Sequence, residues 1–159
     1  MTITVGDRLP SATLVKATAD GPEQVQSDAF FAGRAVALFA VPGAFTPTCS
    51  AKHLPGYVEH LTDLKSKGVD EVACVSVNDA FVMAAWAKSA GAEGITMLAD
   101  GNGEFAGALG LTMDSSRFGM GTRSQRYSML VRDGVVEQLN VEAPGQFSVS
   151  SAEHLLSAM

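Results

Sequence analysis

Apolar residues fill every position of Ala35–Val41, and a run of that length without polar alternation predicts a strand covered on both faces. Residues 69–77 predict a second strand of this kind, with Cys74 inside it. Shorter apolar stretches at 12–15 and Thr96–Ala99 add two more strands. Between the two long strands the period changes. Ala51, Leu54, Val58, Leu61 and Leu64 recur at three- and four-residue intervals, the buried stripe of an amphipathic helix. Pro55-Gly56 should kink that helix and Gly68 should end it, with Lys65 and Lys67 at the negative end of its dipole.

The rest of the chain is punctuated in the same way. Ser27 is placed to cap a short helix over 28–31, closed by Gly33. Asp79 caps a helix running to Ser89, with Phe81, Ala84 and Ala85 facing inward. The turn Asp100-Gly101-Asn102-Gly103 leads into a helix, Glu104–Leu109, that Gly110 ends. Residues 114–124 are polar and glycine-rich, and read as a loop. Asp133-Gly134 between the apolar runs 125–132 and Val135–Val141 predicts a hairpin. Ser150 to Glu153 fits a capping box for a last helix at 151–159. Strands alternating with helices, then a hairpin and a helix, describe one domain over 1–159. Its class is α/β, a central mixed sheet flanked by helices, compatible with a thioredoxin-like arrangement and with other α/β folds.

Composition narrows the possibilities. A chain of 159 residues, 47% hydrophobic and 18% charged, is long and apolar enough for a substantial core. A net charge of -6 argues against nonspecific binding to nucleic acid or anionic membranes. No apolar stretch approaches transmembrane length, and the first residues lack the basic start and apolar run of a signal peptide. Two cysteines without an export signal point to a reducing compartment, the cytoplasm, where thiols serve chemistry rather than as staples.

The chemistry concentrates at Val41-Pro42-Gly43-Ala44-Phe45-Thr46-Pro47-Thr48-Cys49-Ser50. Two prolines and a glycine fix the turn, Pro47 begins a helix, and Cys49 falls in its first turn. Unpaired amides and the positive end of the helix dipole favour thiolate there, so Cys49 is a candidate nucleophile. No Cys-x-x-Cys accompanies it, which excludes a thioredoxin-type redox pair. A cysteine hydrolase would need a base such as His53, His60 or His154. His53 lies one helical turn beyond Cys49, but reads as a helix-surface side chain. A redox sensor or chaperone-like interaction protein is a further alternative.

Pro42-x-x-x-Thr46-x-x-Cys49 resembles the signature of the peroxiredoxins, thiol peroxidases with a thioredoxin-like fold. The wider pattern is similar to the type II, or peroxiredoxin-5-like, subfamily. It takes in the turn itself, His53-Leu54-Pro55-Gly56, Val75-Ser76-Val77-Asn78-Asp79, Arg126-Tyr127-Ser128-Met129, and the stretch from Phe147 to Glu153. The resemblance implies that Cys49 attacks a peroxide oxygen and becomes a sulfenic acid. It further implies that Thr46 hydrogen-bonds the peroxide, that Pro42 shields the sulfur, and that Arg126 stabilises the thiolate and the leaving oxygen. Substrates would be hydrogen peroxide and alkyl hydroperoxides, with no metal, flavin or haem cofactor.

Thiolate formation alone is a modest lever. A cysteine whose pKa falls from about 8.5 to about 6 is roughly 30-fold more ionised at neutral pH, about 2 kcal/mol of barrier. Donors aimed at the breaking O–O bond must supply the rest, and Arg126, expected in a strand, is better fixed for this than Arg123 in the glycine-rich loop. Cys74 occupies a position proposed for a resolving cysteine in plant-like members. Its place in a two-sided strand reads instead as core filler, since a disulfide needs Cα atoms within about 7 Å. Ser148-Val149-Ser150 lacks the C-terminal cysteine of animal-type members. An external thiol is therefore expected: glutathione with glutaredoxin, or thioredoxin. The subfamily also implies a homodimer joined at the active-site end, with Phe45, Phe81, Phe118 and Met120 as candidate contacts.

Overall fold

In the computed structural model, which describes residues 2–159, the apolar run Ala35–Val41 is strand β3 and every residue in it is buried. The other strands are β1 (Thr13–Thr18), β2 (Gly21–Gln26), β4 (Glu71–Ser76), β5 (Thr96–Ala99), β6 (Thr112–Asp114), β7 (Thr122–Ser124), β8 (Tyr127–Arg132) and β9 (Val135–Val141). Seven of them form one mixed sheet in the order β2-β1-β5-β4-β3-β8-β9. The β3–β4 and β4–β5 pairs are parallel, and the flanking pairs are antiparallel. Helices α1 (Ser27–Phe31), α2 (Leu54–Glu59), α3 (Leu61–Ser66), α4 (Ala80–Ser89), α5 (Glu104–Leu109) and α6 (Ala152–Ser157) complete the fold.

Two apolar clusters explain why the central strands show no polar alternation. On one face Ala37, Phe39, Val41, Val72 and Cys74 pack with Leu54, Tyr57, Leu64, Met83, Trp86 and Leu155 from the helices. On the other, Val36, Leu38, Ala40, Ala73 and Val75 meet Phe31, Phe105 and Leu109. Burial on both faces selects apolar side chains at every position of such a strand. Phe39 is central to the first cluster: its ring stacks on Tyr57 at 4.0 Å and lies 4.9 Å from His53.

The Asp133-Gly134 turn is as expected. Both residues take positive φ, 49° and 77°, and join β8 to β9 through a two-residue loop. Asp79 caps α4 by accepting from the Val82 amide at 2.8 Å.

Several sequence expectations change. Strand β1 runs on to Thr18, and its partner β2 was unexpected because Pro22, Glu23, Gln24 and Gln26 are polar or proline positions on an open sheet edge. Ser27 lies inside α1 rather than capping it; its hydroxyl accepts from the Ala12 amide and donates to the Pro10 carbonyl. Ala80, Met83 and Trp86 form the inner face of α4, while Ala84 and Ala85 are exposed and Phe81 is 73% exposed. The supposed loop at 114–124 contains a small two-stranded sheet, β6–β7, around a 3-10 turn, Ser116–Phe118. Ser151, not Ser150, caps the last helix, accepting from the His154 amide.

The helix after Cys49 differs most. Its first turn is widened to a π-turn over Cys49–His53, in which the Leu54 amide bonds to the Cys49 carbonyl. Pro55 is accommodated near the start of α2, and the break comes later, at His60. The extra residue in the π-turn shifts the phase of the helix. Cys49, His53, Leu54 and Tyr57 therefore face the core, while Ala51 is exposed.

Phe39→Ala should remove the platform under Tyr57 and His53. We expect a loss of about 3–5 kcal/mol in unfolding free energy, read from the denaturant midpoint.

Candidate functional site

The turn between β3 and the π-turn is held from several sides. The Asn78 side-chain oxygen accepts from the Ala44 amide at 3.0 Å and from the Ser76 hydroxyl at 2.6 Å. Arg123 donates to the Met120 carbonyl at 2.8 Å and to the Pro42 carbonyl at 3.4 Å. Gly43 is needed because the neighbours are so close: a Cβ there would lie 3.1 Å from Thr46 Cγ2 and 3.2 Å from Met120 Cε. Phe45 takes a positive φ of 64°, uncommon for an aromatic residue, and leaves its ring half exposed near Trp86. The Trp86 indole N–H donates to Ser50 Oγ at 3.0 Å, tying α4 to the π-turn.

Cys49 has no exposed surface. Arg126, immediately before β8, donates from Nη2 to Cys49 Sγ at 3.0 Å. Its Nη1 lies 2.8 Å from His53 Nδ1, and its guanidinium carbon lies 5.8 Å from the centre of the Phe147 ring. The Thr46 hydroxyl donates to the Gly43 carbonyl at 2.7 Å. Pro42, Thr46 and Arg126 line a cleft of about 930 Å³, together with Met113, Phe118, Pro144 and others. Cys49 is not in the cleft lining, so the sulfur sits behind these residues.

The structure thus brings together Cys49, Thr46, Arg126 and Pro42. Arg126 lies just outside the strand in which it was expected, and is fixed by its contacts rather than by the sheet. Arg123, set aside as a rival, clamps the Pro42 turn. His53 is the largest departure: it is fully buried, not on the helix surface. Its Nε2 lies 3.0 Å from the Ser150 carbonyl. A carbonyl only accepts and a guanidinium only donates, so Nε2 carries the proton and Nδ1 is bare. The ring is held neutral. Burial pushes its pKa down from the ordinary 6.5 to about 3, and the Arg126 guanidinium adds to this, against the Ser150 carbonyl and Glu142.

The sequence marks Ser150 only as a helix cap and gives Glu142 no role. The Glu142 carboxylate accepts from the amides of Ser148, Val149 and Ser150, each at 2.8 Å, and from the Ser150 hydroxyl at 2.7 Å. Burial pushes its pKa up, but hydrogen bonds from the Ser150 hydroxyl and these amides hold the carboxyl below the ordinary range. The resemblance takes in Ser150 but not Glu142, for which the sequence offers no signal.

Cys74 lies fully buried in β4, opposite Phe39 and Met97, and in the same core cluster as Cys49. Both cysteines are free thiols. Burial raises the Cys74 pKa well above its ordinary value, and the neighbouring Cys49 adds to that. Such burial favours the thiol over the reactive thiolate at Cys74. Among the described residues no cluster of histidine, cysteine and carboxylate side chains is arranged to hold a metal.

His53 makes stability depend on pH. Its folded pKa lies below its unfolded value, so the unfolded chain takes up the proton first as the solution is acidified. Stability should be complete above about pH 6.5 and fall by up to about 1.4 kcal/mol per pH unit between about 6.5 and 3. Glu142, held below its ordinary value, adds a further loss once the pH falls through that value. Denaturant unfolding across that window should show the slope, and His53→Asn should flatten it.

A protein-family model described as Redoxin matches residues 4–156. Peroxiredoxin-2E-2, chloroplastic, of Oryza sativa subsp. japonica is 54% identical, over 99% of this chain and 73% of its own length. Peroxiredoxin-2B of Arabidopsis thaliana is 47% identical, over 99% of this chain and 98% of its own. Among solved structures, reduced Prx3 of Vibrio vulnificus in complex with H2O2 is 56% identical, covers 99% of each chain, and superposes with a TM-score of 0.96. Among the described residues no helix is long and apolar enough to cross a membrane. A Redoxin match across nearly the whole chain, with relatives of this identity, means that the chain belongs to the peroxiredoxins, in their type II group, and is a thiol peroxidase with a thioredoxin-like fold.

Proposed function

We propose that Cys49 is the peroxidatic residue of a single catalytic domain spanning 1–159. The observation that carries this reading is the 3.0 Å bond from Arg126 Nη2, at the cleft wall, to Cys49 Sγ, a residue with no exposed surface. The Cys49 thiolate attacks the terminal oxygen of a hydroperoxide. The S–O bond forms as the O–O bond breaks, and the departing oxygen takes a proton and leaves as water or alcohol. Cys49 is left as a sulfenic acid, oxidised by two electrons. Arg126 faces the charge that builds on the sulfur and the leaving oxygen, a preorganised donor of the kind that dominates such barriers. The Thr46 hydroxyl gives its hydrogen to Gly43, so towards the peroxide it serves as an acceptor for the O–H. Pro42 forms part of the wall that keeps water from the sulfur.

Regeneration needs a second thiol. Cys74 is sealed in the sheet, and Ser148 and Ser150 stand where a C-terminal resolving cysteine would be expected. The reductant is an external thiol, glutathione with glutaredoxin or thioredoxin, in the cytoplasm. The chloroplastic designation of the rice relative belongs to that protein. Phe45, Phe81 and Phe118, respectively 53%, 73% and 71% exposed, support a homodimer formed at this end of the molecule.

Cys49→Ser should abolish peroxide consumption; appreciable residual turnover would sink the assignment. Arg126→Gln should slow peroxide attack by about 100- to 1000-fold in stopped-flow measurements. Cys74→Ser should turn over normally with an external thiol, and mass spectrometry after one equivalent of peroxide should find sulfenic acid at Cys49 rather than a Cys49–Cys74 disulfide.

A further inference from the structure

Four residues close a hydrogen-bonded circuit behind the sulfur. The Arg126 guanidinium donates to His53 Nδ1 at 2.8 Å. His53 donates from Nε2 to the Ser150 carbonyl at 3.0 Å, and Tyr57 donates its hydroxyl to the same carbonyl at 3.1 Å. Ser150 donates its amide and hydroxyl to Glu142. The Glu142 amide in turn donates to the Arg126 carbonyl at 3.0 Å. Arg126 is thus held at both its backbone and its side chain by one loop of contacts, spanning 97 positions between His53 and Ser150.

We propose that His53 is a positioning residue for peroxide reduction, orienting the Arg126 guanidinium on Cys49 without neutralising it, with Ser150 and Glu142 as its anchor. The inference rests on the reading of Cys49 and Arg126 given above.

The chemistry of the acceptor is the heart of it. A guanidinium on a flexible stem needs a partner to fix its plane. A carboxylate would fix it well, but would cancel much of the charge the sulfur and leaving oxygen need. A neutral imidazole fixes the plane and leaves the charge intact. The Ser150 carbonyl guarantees that state, because it claims the Nε2 proton and turns the bare Nδ1 towards Arg126. Glu142, the nearby carboxylate, is turned to residues 148–150: its Oε2 accepts from their three amides and the Ser150 hydroxyl, and its Oε1 from the Ser148 hydroxyl at 3.4 Å. The rings of Phe39, Tyr57 and Phe147, at 4.9, 5.7 and 5.0 Å, box the imidazole in place.

The test compares peroxide attack with alkylation by iodoacetamide, which needs the thiolate but no donor for a leaving oxygen. The parent protein comes first. Sulfenic acid at Cys49 after one equivalent of peroxide secures the underlying reading, and its absence would overturn that reading and this one together. His53→Leu keeps the apolar contacts and removes both hydrogen bonds. It should slow peroxide attack by about 10- to 100-fold while alkylation slows by less than about threefold. His53→Asn keeps an acceptor in place of Nδ1 and should recover a rate within about threefold of the parent. Parental speed in His53→Leu, an equal loss in Leu and Asn, or a parallel fall in both reactions would overturn the proposal. If His53→Leu does not fold, Asn against Gln decides. Gln reaches Ser150 but offers no acceptor at Nδ1, so Asn must be faster; equal or reversed rates would defeat the idea.

Discussion

A guanidinium bonded at once to a buried sulfur and a buried neutral imidazole is the constraint on which this site depends. Arg126 arrives from the hairpin half of the chain and Cys49 from the turn after β3. Nothing local to either residue brings them together. The sheet does so: β8 lies beside β3 in antiparallel register, with Ala40 opposite Tyr127. The start of β8 therefore lies beside the turn that leaves β3. The π-turn completes the placement, rotating Cys49 and His53 towards the core instead of leaving His53 at the surface.

The secondary structure was legible where one physical signal dominated. Continuous apolar runs marked β3 and the core of β4, Asp133-Gly134 marked the hairpin, and Asp79 marked the start of α4. Legibility failed where tertiary context decided. Strand β2 is a polar edge that propensity alone does not reveal, and α4 turns Phe81 outward because Met83 and Trp86 make the better buried pair. The π-turn is a backbone event with no residue signature of its own. Any estimate of which face of that helix is buried was bound to slip by a residue.

Cys49, Thr46, Arg126 and Pro42 could be picked out together because the turn motif is compact and the resemblance to peroxiredoxins covers most of the chain. Their support could not. His53 meets partners 73 and 97 positions away, and Glu142 closes a short loop onto residues 148–150 that no residue pattern announces. Beside the helix-surface reading that its position in the sequence favoured, a histidine four residues after a cysteine can be weighed as a catalytic base. The fold makes it the opposite, a base whose only proton is already committed and whose lone pair is already taken.

The cleft and the sulfur behind it set different tests for a reactant. The cleft is wide, about 930 Å³, and partly walled by Met113, Phe118 and Pro144. Cys49, by contrast, has no exposed surface. The far end of a reactant can be bulky and apolar where it meets the cleft walls, but the tip that reaches the sulfur must be slender. A hydroperoxide has such a tip, a single oxygen and its hydrogen, whatever chain it carries. A peroxide substituted at both oxygens has none. The site therefore selects by the shape of one end of its substrate and is permissive about the other.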